Sequence, residues 1–194
     1  MKNKTALAML VTVAVLSGVF LIVATNKAVL AQPANLLTYE NSTNDIKLQY
    51  PSGWVKELNV SSPDVVTFFP SVNSSAELTV SVDNISDEKG ISLAQYASDS
   101  NDAIKHFTKD FKLLGATTNN ILAGLPAYKS IYSYVGGQDN DTKVQGMTTG
   151  AIKGDKVYIF TYEAGPNEYD KYLPIMQQLI KSFQIAGSHP TKLL

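Results

Sequence analysis

Behind a short basic head, Met1-Lys2-Asn3-Lys4, the chain runs from Thr5 to Ala24 without a charge. About 20 apolar residues cross a bilayer as a helix, whereas a signal-peptide core runs to about 7–15. Val29-Leu30-Ala31 before Gln32 has the small-residue pattern of a cleavage site. The segment is therefore either a cleaved signal or an uncleaved N-terminal apolar helix that anchors the chain. In both cases Lys2 and Lys4 hold the head on the cytoplasmic side, and the remainder is exported.

Beyond a polar stretch from Gln32 to Asn44, read as a linker, the period changes to two. Ile46 to Tyr50 alternates apolar and polar, which predicts a first strand ended by Pro51-Ser52-Gly53. Val65 to Phe69 and Ala76 to Val82 predict a hairpin around Asn73-Ser74-Ser75. Ser92 with Gln95 is a capping box, and Leu93, Tyr96, Ala97, Ile104 and Phe107 recur at helical spacing behind it. Four strands follow: Phe111 to Thr118, Ala127 to Val135, Lys143 to Ile152 and Lys156 to Glu163. Their connections are Ala123-Gly124-Leu125-Pro126, the loop Gly136 to Asp141, and Lys153-Gly154-Asp155. A closing helix carries Tyr169, Tyr172, Leu173, Met176, Leu179, Ile180 and Phe183 at steps of three and four. Pro174 falls inside it, so either the helix begins there or an earlier turn is kinked.

Short connections imply an antiparallel sheet. Val157 and Ile159 on one parity, with Tyr158, Phe160 and Tyr162 on the other, require cover on both faces. The fold class is α+β: a central antiparallel β-sheet covered by helices, an α/β/α sandwich. The divisions are 1–31 (signal or anchor), 32–44 (linker), 45–186 (folded domain) and 187–194 (tail).

Composition narrows the function. Sixteen Lys and Arg against 17 Asp and Glu give a net charge of -1, with no basic patch of the kind nucleic acid requires. Cysteine is absent, which removes disulfides, thiol nucleophiles and thiolate metal sites. Sequons at Asn41, Asn59, Asn73, Asn84 and Asn140 fit either glycosylation of an exported surface or an unmodified polar one.

No motif for nucleophilic, zinc-hydrolase or phosphate chemistry occurs, so no enzymatic activity is expected. No cofactor is expected either, a divalent metal excepted. Asp99, Asp102, His106 and Asp110 lie at i, i+3, i+7 and i+11, within a stripe about 80° wide on a helix. Imidazole with carboxylates suits zinc or manganese. Asp139-Asn140-Asp141 offers oxygen ligands for calcium. The alternating tyrosines Tyr128, Tyr132, Tyr134, Tyr158 and Tyr162 either line a pocket or fill the core. Trp54, Gly136, Gly137, Asp139 and Asp141 are the candidate partner surface.

Three segments resemble the PsbP-like domain family. Tyr50-Pro51-Ser52-Gly53-Trp54 resembles its opening YPxxW turn, and Gly124-Leu125-Pro126-Ala127-Tyr128 its GxPAY turn. Tyr169 to Pro174, continuing to Ser182-Phe183, resembles its closing helix. The resemblance spans Tyr39 to Ile185 and implies an α/β/α sandwich. Named members of the family are extrinsic proteins of the oxygen-evolving complex of photosystem II, where they help retain calcium and chloride. The N-terminal apolar segment and short linker depart from the plant members. What the resemblance implies is a non-catalytic exported domain, a binding or accessory subunit of an extracytoplasmic membrane-associated complex. A metal-binding accessory domain using calcium, manganese or zinc is the alternative. The location implied is the outer face of the cytoplasmic membrane, or the exterior after cleavage near Ala31.

Overall fold

A computed structural model describes residues 35–58, 63–88, 90–136 and 142–186. The apolar segment before Ala31 and the tail at 187–194 lie outside them. No helix among the described residues is long and apolar enough to cross a membrane.

The described chain runs β1 (Leu36–Asn41), β2 (Ile46–Pro51), β3 (Val55–Leu58), β4 (Asp64–Phe69), β5 (Glu77–Asn84) and α1 (Leu93–Phe107). It continues through β6 (Lys109–Leu122), β7 (Leu125–Gly136), β8 (Thr142–Lys153), β9 (Lys156–Ala164), α2 (Tyr169–Ser182) and β10 (Gln184–Ile185). Seven strands form one antiparallel sheet in the order β3-β4-β5-β9-β8-β7-β6, and β1-β2-β10 form a second, smaller one. The order of strands, helix, four strands and helix is as the sequence predicts. The single central sheet is not, because β2 belongs to the small sheet.

The linker at 32–44 needs correction too. Leu36–Asn41 is a strand, paired in register with β2 from Leu36↔Pro51 to Asn41↔Ile46. Tyr39 is the one residue of β1 that is buried, so the strand shows almost no apolar period and its polar outer face reads as linker.

The register places Phe68, Leu78, Tyr162 and Met147 in one cross-strand row, and Val66, Val80, Phe160 and Thr149 in the next. Opposed residues share a face, and this is the core face. The small sheet packs here through Tyr39 and Tyr50 on Phe68. The α2 side packs here through Tyr169 on Tyr162 and Phe183 on Phe160. Helix α1 lies on the opposite face, where Tyr96 meets Tyr128. A sandwich results, with one outer layer helical and the other mixed.

Local chemistry sets the element ends. Ser92 Oγ accepts from Gln95 N at 3.1 Å, but the Gln95 amide donates to Asp99 rather than back to the cap. Phe107, expected on the apolar stripe, is 84% exposed, because α1 ends there and the chain turns into β6. Helix α2 runs through Pro174 at its sixth residue. Glu168 Oε2 accepts from Ser74 Oγ, Ser75 N and Ser75 Oγ, tying the β4–β5 turn to the start of α2. The Ser75 hydroxyl bond, the largest cause, holds the Glu168 carboxyl below its ordinary range.

Candidate functional site: a groove beneath the sheet overhang

The small sheet and α2 cover the core face only partway across. Strands β8, β7 and β6 extend beyond them, leaving an open groove of about 1130 Å³. Its floor is the underside of the overhang, and its wall is the C-terminal half of α2 with β10. Met147 and Leu122 supply apolar floor, and Ile180 and Phe183 apolar wall.

Polar groups are set into this surface. Lys129 stands on β7 between Thr117 of β6 and Thr149 of β8 and is half-buried. Asn120 Nδ2 donates to Thr149 Oγ1 at 3.0 Å, and that hydroxyl donates to the Tyr128 carbonyl at 2.7 Å. Lys47 pairs with Glu40 at 2.6 Å on the rim. Among the described residues, Lys129 and Lys181 have no carboxylate within ion-pair distance. The arrangement is one that binds: apolar floor, amides and unpaired cations, with no histidine in its lining.

The opposite face carries a different network. Tyr132 Oη donates to Glu163 Oε1 at 2.9 Å, and Tyr134 Oη to Glu163 Oε2 at 2.8 Å. The Tyr132 ring lies across β8 directly over Gly146, where a Cβ would sit 2.2 Å from the ring. Burial, then the charge of Glu163, pushes both phenols well above their ordinary range. Glu77 stands directly opposite Glu163 across the β5–β9 ladder. Burial raises its carboxyl first, and the charges of Glu163, Asp64 and Glu57 add to that. A raised folded-state pKa means the unfolded chain gives up the proton more readily. Ionised Glu77 therefore weakens the fold at neutral pH, and the loss is recovered as pH falls through the folded value towards 4.5. Glu77→Gln is expected to raise the melting temperature at neutral pH. Its advantage should vanish once acid has protonated the native carboxyl. Thermal unfolding across that range checks both, and a constant difference would contradict the assignment.

The residues singled out from the sequence are dispersed. Asp99, Asp102 and His106 are exposed on α1. Asp110 lies past the Thr108 cap, in β6, at a positive φ of 52°, so the helical stripe that would align it with the others is broken. Among the described residues no three His, Asp or Glu gather as a metal-holding group. Trp54 is half-buried, edge-on to Tyr172 at 6.2 Å. Gly136 ends β7, and Gly137, Asp139 and Asp141 lie outside the described residues. Tyr128, Tyr132, Tyr158 and Tyr162 are buried in the fold, and Tyr134 is half-buried. The sequence reading missed the groove. Its signal was Lys129, a lysine amid the apolar Ala127 and Ile131 on one parity of a central strand.

The PsbP family model matches residues 34–185. The chain belongs to the PsbP family. The match begins ahead of β1 and ends at β10, so both strands fall within the PsbP domain. Cyanobacterial PsbP (CyanoP) from Synechocystis sp. PCC 6803 superposes with a TM-score of 0.60 at 17% identity, covering 80% of this chain and 95% of that one. LpqN of Mycobacterium tuberculosis, involved in cell envelope biogenesis, gives 0.54 at 14% identity, with 78% and 90% covered. The Saccharomyces cerevisiae Ran-binding protein Mog1p gives 0.54 at 12%, with 78% and 95% covered. At these identities the likenesses show the fold. No curated protein matches by sequence.

Proposed function

We propose that this PsbP domain is a non-catalytic, exported accessory subunit of a membrane-associated complex, and that it docks its partner in the groove beneath the sheet overhang. The groove carries the reading: apolar floor and unpaired lysines lie open beside one another. Membership of the PsbP family and the apolar segment at Thr5–Ala24 support it.

The test is affinity capture of the full chain from detergent-solubilised membranes, with mass spectrometry of the captured proteins and of the N-terminus. Gln177 is exposed on the groove wall, so Gln177→Arg should leave folding intact and block the groove. A defined set of membrane proteins held by the wild type and lost by Gln177→Arg supports the reading. Capture that is absent, or indifferent to the substitution, overturns it. The same preparation, titrated with calcium, manganese and zinc, tests the metal-binding alternative. His106→Ala should abolish zinc or manganese binding if that alternative holds.

A further inference from the structure

We infer that the groove takes an extended peptide segment of the partner in the pattern apolar-x-acidic-x-apolar, its carboxylate seated on Lys129. The inference rests on the docking reading above and specifies the chemistry of the docked segment.

Charge is the first argument. Lys129 is half-buried with no carboxylate partner among the described residues, so an incoming carboxylate can form a charge-assisted hydrogen bond with it without displacing an existing pair. Lys181, also unpaired, adds positive charge from α2. The acidic side chains in the lining are Glu40, already held by Lys47, and Asp45, exposed in the turn between β1 and β2. Neither lies within ion-pair distance of Lys129 or Lys181, so a carboxylate brought in by a partner meets two lysines that no carboxylate of the described chain holds.

Spacing is the second. In an extended chain every second side chain points the same way. The row beside Lys129 on one side holds Met147 opposite Ile131, and on the other Asn120 opposite Ala127, with Leu122 beyond. An acidic residue over Lys129 therefore places its i−2 and i+2 neighbours over apolar floor.

Backbone recognition is the third. Asn120, Gln177 and Gln184 present carboxamides to the groove. A carboxamide both donates and accepts, which matches a peptide backbone and is wasted on a hydrocarbon chain. The open volume of about 1130 Å³ also exceeds the roughly 300–1,000 Å³ of small-molecule pockets.

The full chain in detergent micelles is titrated against dye-labelled peptides Leu-Ser-Glu-Ser-Leu and Leu-Ser-Lys-Ser-Leu, capped at both ends, by fluorescence anisotropy. The acidic peptide is expected to bind roughly tenfold more tightly at low ionic strength, with the gap closing as salt is added. Lys129→Glu should reverse the preference. Lys105→Glu, exposed on α1 across the sheet, should leave it unchanged. Melting curves confirm that both variants fold. Equal binding of the two peptides, or a preference that survives Lys129→Glu, overturns the inference. If the peptides are not discriminated while Gln177→Arg still abolishes membrane capture, the docking reading stands and the acidic segment falls.

Discussion

Gly146→Ala is expected to destabilise the fold by about 3 kcal/mol, at the upper end of what overpacking costs. The added Cβ would lie 2.2 Å from one carbon of the Tyr132 ring and 2.4 Å from the next. A flexible surface side chain would swing away. Tyr132 has no such freedom, because it is fully buried, stacked on Tyr134 at 6.2 Å and hydrogen-bonded to Glu163. Moving the ring breaks that bond and leaves a half-buried carboxylate oxygen with one partner fewer. Urea unfolding of the variant measures the loss. Tyr132→Ala combined with Gly146→Ala should cost less than the sum of the two single changes, since the clash is gone once the ring is gone. Additive losses would show that the close approach is not what requires glycine.

Phe68→Ala should cost about 3–5 kcal/mol, the range for truncating a buried phenylalanine. Phe68 is the peg between the two sheets. It is fully buried, with the Tyr39 ring edge-on at 6.0 Å and the Tyr50 ring at 4.8 Å. Those two rings come from β1 and β2, so the cavity opens at the seam rather than within one sheet. The small sheet is expected to loosen first, and hydrogen exchange along Leu36–Asn41 should accelerate more than along β9. Phe107→Ala provides the comparison within one residue type. With 84% of its surface in water, Phe107 should change stability by less than about 0.5 kcal/mol. Similar losses for the two would mean that the sheets do not depend on this contact.

These expectations show where sequence reasoning reached and where it stopped. The hairpin β4–β5, the long strands β7 to β9 and both helices carry strong local periods, and their residues were legible. Gln95 shows the limit of a motif, since its backbone N–H donates to the Ser92 cap while its side chain turns to Asp99. Asp110 shows the limit of a helical wheel, since the stripe fails wherever the helix ends. Nothing local marks Gly146, whose reason for being glycine is a tyrosine on the neighbouring strand.

By itself the sequence determined the order of elements, the antiparallel pairing of neighbours and the family. Each of these follows from periodicity and turn chemistry within a few residues. The tertiary structure decided that β1, β2 and β10 make a separate sheet. It also decided that this sheet and α2 stop short of the edge, so that Lys129 stands in an open groove. Both depend on contacts between residues far apart in the chain: β10 joins β2 more than a hundred residues after it. Side-chain alternation states which face a residue takes and is silent on how far the cover over that face extends.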